Sequence, residues 1–110
     1  MKFLILYHST VSARDQMAGA TPEQMKAGME AWMAWANSAK GAIVDLGAPV
    51  GNGVTMTSPS AESPSTSSIG GFSVLQADSK AALLKTLSGH PHFRAPGASI
   101  EVLEFMPMGM

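Results

Sequence analysis

The chain has 110 residues, enough for one compact domain, with seven basic and eight acidic side chains and a net charge of -1. That balance leaves no basic field to hold a nucleic-acid backbone. The sequence contains no cysteine, which excludes disulfides, thiol catalysis and thiolate-bound metals. No apolar run approaches the roughly 20 residues that cross a bilayer, and the stretch Phe3 to Leu6 is too short for a secretory signal core. A soluble cytoplasmic protein with no membrane or nucleic-acid partner is the expectation. Nine methionines suggest an adaptable core, with a Met-lined ligand surface as the alternative.

Residues 2–8 (KFLILYH) form the first expected strand. Phe3, Ile5 and Tyr7 share one parity and Leu4 and Leu6 the other, the pattern of a strand covered on both faces. A polar connection with Arg14 and Asp15 follows. Thr21-Pro22-Glu23-Gln24 then marks a helix start: Thr21 caps, Pro22 sits where its missing N–H costs nothing, and Gln24 completes a capping box. The helix runs to about Ala39. Met25, Met29, Trp32 and Ala36 form its expected buried stripe, broadened by Met33 and Trp35. The tryptophans are anchors of a core or interface, with a ligand-stacking platform as the alternative. Gly41 is expected to end the helix in a left-handed cap.

A second strand is expected over residues 42–48, closed by Pro49. Gly51-Asn52-Gly53 signals a turn, and Val54 to Thr57 a short return strand. Residues 58–68 (SPSAESPSTSS) are too rich in Ser and Pro to build a core and predict a mobile surface loop. Ile69 to Ala77 form a third strand, where Gly70 and Gly71 suggest a bulge. Ser79 caps a second helix with Leu83, Leu84 and Leu87 on its apolar side, ended by Gly89. Ser99 to Met106 form the last strand.

The order βαββαβ predicts an α+β, ferredoxin-like sheet with both helices on one face. Three strands carry large apolar groups on both parities: Phe3 and Leu4, Phe72 and Leu75, Val102 and Leu103. The face without helices therefore needs cover, and a second copy is the simplest source. A homodimer forming a dimeric α+β barrel, with a small-molecule ligand in its cleft, is expected.

Several stretches together resemble the YCII-related family, including its DGPF relatives, of small dimeric α+β barrel proteins. The likeness spans nearly the whole chain. It rests on the opening KFLILY, on Leu46-Gly47-Ala48-Pro49, on Gly70-Gly71-Phe72, on Ala77-Asp78-Ser79, on Pro91, and on Gly97-Ala98-Ser99-Ile100-Glu101-Val102. The resemblance implies the barrel fold and little about reaction. Some members carry a histidine early in the first helix, paired with an aspartate, as a candidate active site. By alignment to Pro22 that position falls near Gln24, which is neither acid nor base near neutral pH. The Asp-Gly-Pro-Phe motif is replaced by the Ser/Pro loop.

Topology alone places His8, the 49–68 loop and the His90-Pro91-His92 turn at one end of the sheet. His8 and His92 are the candidate proton shuttles there, with His90, Gln24 and Pro49 as further pocket candidates. Structural roles compete with this: His90 at a helix terminus, His8 bonded to backbone. Asp45, inside an apolar strand, is either a solvated guard of an edge or a general base facing the cleft. Arg14 and Glu104 are open to pairing with substrate or with each other. The histidine spacing matches no zinc motif, and no cofactor is expected. No phosphate loop, dinucleotide fingerprint or serine elbow is present. Two readings stand: an enzyme or binder of a small molecule, with His8, Asp45 and His92 as its acid–base groups, or a noncatalytic dimeric module with a degenerate site.

Overall fold

In the computed structural model, the described residues are 1–10, 15, 18–95 and 97–108. Arg14 lies outside them. The elements are β1 (Lys2–His8), α1 (Pro22–Ser38), β2 (Ile43–Pro49), β3 (Val54–Ser58), β4 (Ala61–Pro64), β5 (Ile69–Gln76), α2 (Lys80–Leu87), a 3-10 turn (Pro91–Arg94) and β6 (Ser99–Glu104). Four strands make an antiparallel sheet in the order β2-β5-β1-β6. Two strand–helix–strand units interleaved in this way give the expected ferredoxin-like sheet.

The core lies between the sheet and both helices. Phe3, Ile5 and Tyr7 of β1 and Leu75 of β5 are buried there against Trp35, Ala36 and Ala39 of the first helical region and Leu83 and Leu87 of α2. Alternation along each strand sends the other parity to the opposite face. In register across that face lie Leu4, Val74 and Leu103, then Leu6, Phe72 and Glu101. Leu4, Leu6, Phe72 and Val74 are half-buried and Leu103 is 43% exposed, whereas Phe3, Ile5 and Leu75 are at 0%. One face is thus packed and the other is apolar but open.

Local signals shape the helices. The Thr21 hydroxyl accepts from the Gln24 N–H at 3.1 Å, and the Gln24 side-chain oxygen accepts from the Thr21 N–H at 2.9 Å, closing the capping box. Ser79 caps α2 by accepting from the Ala82 N–H. The buried side of α1 keeps Trp32, Trp35 and Ala36 of the expected stripe but not its methionines. Met25, Met29 and Met33 are exposed, and the face turned to the sheet carries Trp32, Trp35 and Ala36. Two bulky indoles fill the space between helix and sheet and rotate the more pliant methionines outward. On α2, Leu83 and Leu87, one turn apart, are buried, while Leu84 is 51% exposed. Gly41 does not adopt the expected left-handed cap; among the described glycines only Gly47 and Gly97 have positive φ.

The short return strand expected from Val54 is present, but residues 58–64 depart from expectation. Instead of leading into a mobile loop, Val54 to Ser58 pairs with Ala61 to Pro64 as a hairpin, with Thr55 opposite Ser63 and Met56 opposite Glu62. Backbone pairing across a tight turn needs no core, so a Ser-rich sequence can form it. Every residue of both strands is exposed. The radius of gyration is 15.5 Å, above the roughly 13 Å of a compact chain of this length. No helix among the described residues is long and apolar enough to cross a membrane.

Gly47 is the tightest backbone contact. Its φ is +79°, and a Cβ built there would lie 1.7 Å from the Phe72 carbonyl oxygen. Glycine alone fits, because edge strand β2 must bend against β5 at this point. Gly47→Ala is therefore expected to lower unfolding stability by more than about 2 kcal/mol. Urea unfolding followed by tryptophan fluorescence measures this, and an unchanged midpoint contradicts the contact.

Candidate functional site

The end of the sheet where β1 finishes carries all three histidines, but the sheet divides them. His8 terminates β1 on the helix-free face, and His90 and His92 belong to the aromatic cluster on the helix side. The bulge anticipated at the glycine pair sits at this point. Tyr7 pairs with Gly71 and His8 with Ile69, so Gly70 is the extra residue. The slip brings the residue before β5 beside the His8 ring.

Both ring nitrogens of His8 are engaged. Nε2 lies 2.7 Å from Glu101 Oε1, and Nδ1 lies 2.6 Å from Ser68 Oγ. Glu101 stands opposite Leu6 on β6, one diagonal step from His8, a spacing that long side chains bridge. A carboxylate only accepts, so Nε2 carries the proton and Nδ1 is the basic nitrogen. The Ser68 hydroxyl then donates to Nδ1. The pair is partly open to solvent, with side-chain exposures of 23% for His8 and 46% for Glu101. Leu6 and Phe72 form the apolar floor beside it.

His92 has a different task. Its Nε2–H donates to the backbone carbonyls of His8 at 2.9 Å and Ser99 at 3.1 Å, fastening the end of β1 to the start of β6. It is thereby a support under the His8 backbone. His90 is 2% exposed, with its ring centroid 4.4 Å from that of Trp32, 4.2 Å from Trp35 and 4.9 Å from Tyr7. Its Nδ1 accepts the His92 N–H at 2.9 Å, which leaves the proton on Nε2. Nε2 has no hydrogen-bond partner among the described residues. The Trp32 and Trp35 indoles pack against the ring, and the π face of an indole is a weak acceptor. Burial, and secondarily the charge of His92, lower the His90 pKa from 6.5 to about 4. Nearby, the buried Tyr7 hydroxyl bonds Ser73 Oγ at 2.9 Å, and Ser73 donates to the Leu46 carbonyl at 2.6 Å. Burial raises the Tyr7 pKa, against a lowering by the Ser73 bond.

The remaining candidates are placed as follows. Asp45 is exposed on edge strand β2, opposite Val74, and its Oδ1 accepts the Gly47 N–H at 2.9 Å. Val74 is level with Leu4, four residues from His8 along β1, so Asp45 is about 13 Å along and about 10 Å across from the imidazole. The structure therefore does not bring Asp45 to His8; the carboxylate at the histidine is Glu101. The Gln24 side chain is taken up in the capping box. Pro49 is exposed at the same end as His8, paired with Gly71 on the edge. Glu104 is opposite Phe3 at the other end of β1. Among the described residues no three His, Asp or Glu gather as a metal-ligand set. The open depressions lined by Met33, Ala36 and Lys40, and by Ser38, Ala42 and Thr86, involve none of these histidines.

Sequence reasoning missed Ser68 and Glu101. The alternation of β6 holds a signal for Glu101: it shares parity with Leu103 between the inward Ile100 and Val102. Ser68 is one serine among many in its loop and carries no signal of its own.

Comparison with known proteins locates the fold. The chain superposes on 5-chloro-2-hydroxyhydroquinone dehydrochlorinase (TftG) from Burkholderia phenoliruptrix AC1100, in complex with 2,5-dihydroxybenzoquinone, with a TM-score of 0.58. The identity is 20%, over 96% of this chain and 94% of that one. No protein-family model matches the sequence. No curated protein matches it either. The likeness to TftG is one of fold, the ferredoxin-like α+β arrangement.

The buried His90 makes stability pH-dependent. The unfolded chain gains a proton near pH 6.5 and the folded chain only near pH 4, so acid favours unfolding. This contribution is intact above about pH 6.5 and is lost progressively as pH falls to about 4, by up to about 3 kcal/mol. Thermal unfolding across that window should show the fall, and His90→Phe should flatten it; equal slopes in both proteins refute the assignment.

Proposed function

We propose that this chain binds a compact aromatic small molecule on the helix-free face and acts on it with the His8–Glu101 pair. The observation that carries the reading is the doubly anchored His8. An imidazole held at 2.6 Å and 2.7 Å, beside Leu6 and Phe72, is oriented for proton transfer at the edge of an apolar surface. Imidazole is the side chain that exchanges protons near neutral pH. Glu101 fixes the tautomer and stabilises the charged ring, and His92 holds the backbone beneath it.

A second copy completes the site. Leu4, Leu6, Phe72, Val74 and Leu103 form a continuous apolar face of the kind that soluble chains cover. Two such faces stacked about a two-fold axis enclose a cleft with His8 at its rim. Asp45, on the same face at the far end, is then a wall of that cleft. The fold of TftG, whose complex contains a dihydroxylated quinone, supports an oxygenated ring as ligand. In the proposed site the ring lies on Leu6 and Phe72, and its hydroxyl or carbonyl oxygens meet the polar rim.

Two measurements test the reading. A panel of hydroxyquinones and hydroquinones, including 2,5-dihydroxybenzoquinone, should raise the melting temperature of the wild-type protein. His8→Gln should abolish turnover of an accepted compound by about 100-fold or more. Equal behaviour of His8→Gln and wild type would leave a noncatalytic module. Sedimentation should give twice the chain mass, and Leu6→Glu should shift it to one chain. A wild-type mass of one chain at micromolar concentration would remove the enclosed cleft.

A further inference from the structure

The geometry points to Ser68 Oγ as a nucleophile, and to an acyl-transfer activity toward small aryl esters at this site. The inference rests on the reading of His8 as the acid–base group and adds the atom that meets the substrate. Both imidazole nitrogens already have partners, Glu101 at Nε2 and Ser68 at Nδ1. A substrate therefore draws on the basicity of His8 either by displacing one of those partners or, with the bonds intact, through one of them. Glu101 accepts and has no proton to give. Ser68 is exposed, and with the ring proton of His8 on Nε2 its hydroxyl donates to the basic Nδ1 at 2.6 Å. The connectivity serine–imidazole–carboxylate follows as the geometry of an activated hydroxyl. In the common triad the carboxylate holds Nδ1 and the serine Nε2. Here the two nitrogens exchange partners: Nδ1 takes up and returns the serine proton, while Glu101 keeps the Nε2–H and stabilises the imidazolium that forms.

The main chain holds the three groups in place independently. The Ser9 N–H donates to the Ser68 carbonyl at 3.0 Å, fixing the serine to the end of β1. The Ser67 hydroxyl accepts from the Ile69 N–H at 3.2 Å, shaping the turn around it. The Gly70 bulge sets the register that places this turn at the His8 ring. Ser68 is thus seated by a backbone bond of its own carbonyl and by a side-chain bond that shapes the adjoining turn.

The step balances without a further reagent. Ser68 Oγ forms a bond to the ester carbonyl carbon as its proton passes to His8 Nδ1. The C–O bond to the aryl leaving group breaks, and that oxygen takes the proton from Nδ1. Water then attacks the acyl-serine by the same route, releasing the acid and restoring the hydroxyl. Leu6 and Phe72, on the same face, offer the apolar contact that favours an aryl group.

The test is active-site labelling of the intact protein with a fluorophosphonate, together with hydrolysis of phenyl acetate. Serine attack breaks the P–F bond, releases fluoride and leaves a stable phosphonyl-serine. Ser58, Ser60, Ser63, Ser65 and Ser67 are internal controls in the same digest. The expected result is modification at Ser68 at least ten times that at any of them, falling tenfold or more in His8→Gln and in Glu101→Gln. Ser68→Ala should lose ester hydrolysis to the same extent, while Thr66→Ala retains it. Labelling that is absent, or spread evenly over the loop serines, overturns the proposal. If Ser68→Ala hydrolyses phenyl acetate at the wild-type rate while His8→Gln fails, the nucleophile is wrong and the acid–base site stands. If His8→Gln also matches wild type, both readings fall.

Discussion

Everything in this molecule depends on a central strand that is apolar on both sides. β1 pairs with β5 and β6, and its odd residues fill the space beneath the helices. Its even residues, Leu4 and Leu6, meet Val74, Leu103 and Phe72 on the other face. Burying the first set organises the monomer. The second set is a surface that water covers poorly, and it sets where a ligand or second chain gains most by contact. The polar residues that end this strip, His8 and Glu101, are therefore at a boundary between apolar floor and solvent. Oriented proton transfer is most effective at such a boundary, because each hydrogen bond there is less diluted by water.

The three histidines show how one sheet can separate similar side chains into unlike roles. His8 and Tyr7 are consecutive, yet pleating puts them on opposite faces. His90 follows Tyr7 into the aromatic core and is kept neutral by its burial. His92 spends its ring proton on two carbonyls at the strand ends. Only His8 faces outward with a carboxylate and a hydroxyl attached. The cost of a His90 Nε2–H with no hydrogen-bond partner among the described residues is borne beside two indoles, whose edge-to-face and tilted ring contacts offset part of it.

Local chemistry made much of the fold legible from the chain itself. The Thr21–Gln24 box, the Ser79 cap and the Gly70 bulge are short-range features in which neighbouring atoms satisfy each other. The two-sided pattern of β1 is likewise visible, because strand parity has a fixed period of two. The Met25–Met29 stripe was misleading. Helical periodicity says which residues share a face, but the choice between a methionine face and a tryptophan face is made by volume matching across the core. The site was half legible for a similar reason. Topology gathers His8, the long loop and the His90–His92 turn at one end, but pleating decides which rings can meet. Asp45 shares the open face of His8 and remains distant because register, not parity, sets the separation. Ser68 depends on a one-residue slip between Tyr7 and His8, which pattern alone does not locate.

The β3–β4 ribbon has a different consequence. It contains no buried residue, and its cross-strand pairs are small or polar apart from Met56 and Val54. A two-stranded hairpin by itself is marginal in water. Its sequence is therefore almost uncoupled from the stability of the sheet. Evolution can lengthen, recharge or trim this ribbon without disturbing Phe3, Ile5 or Leu75. It is the part of the molecule where relatives sharing one scaffold can diverge most cheaply.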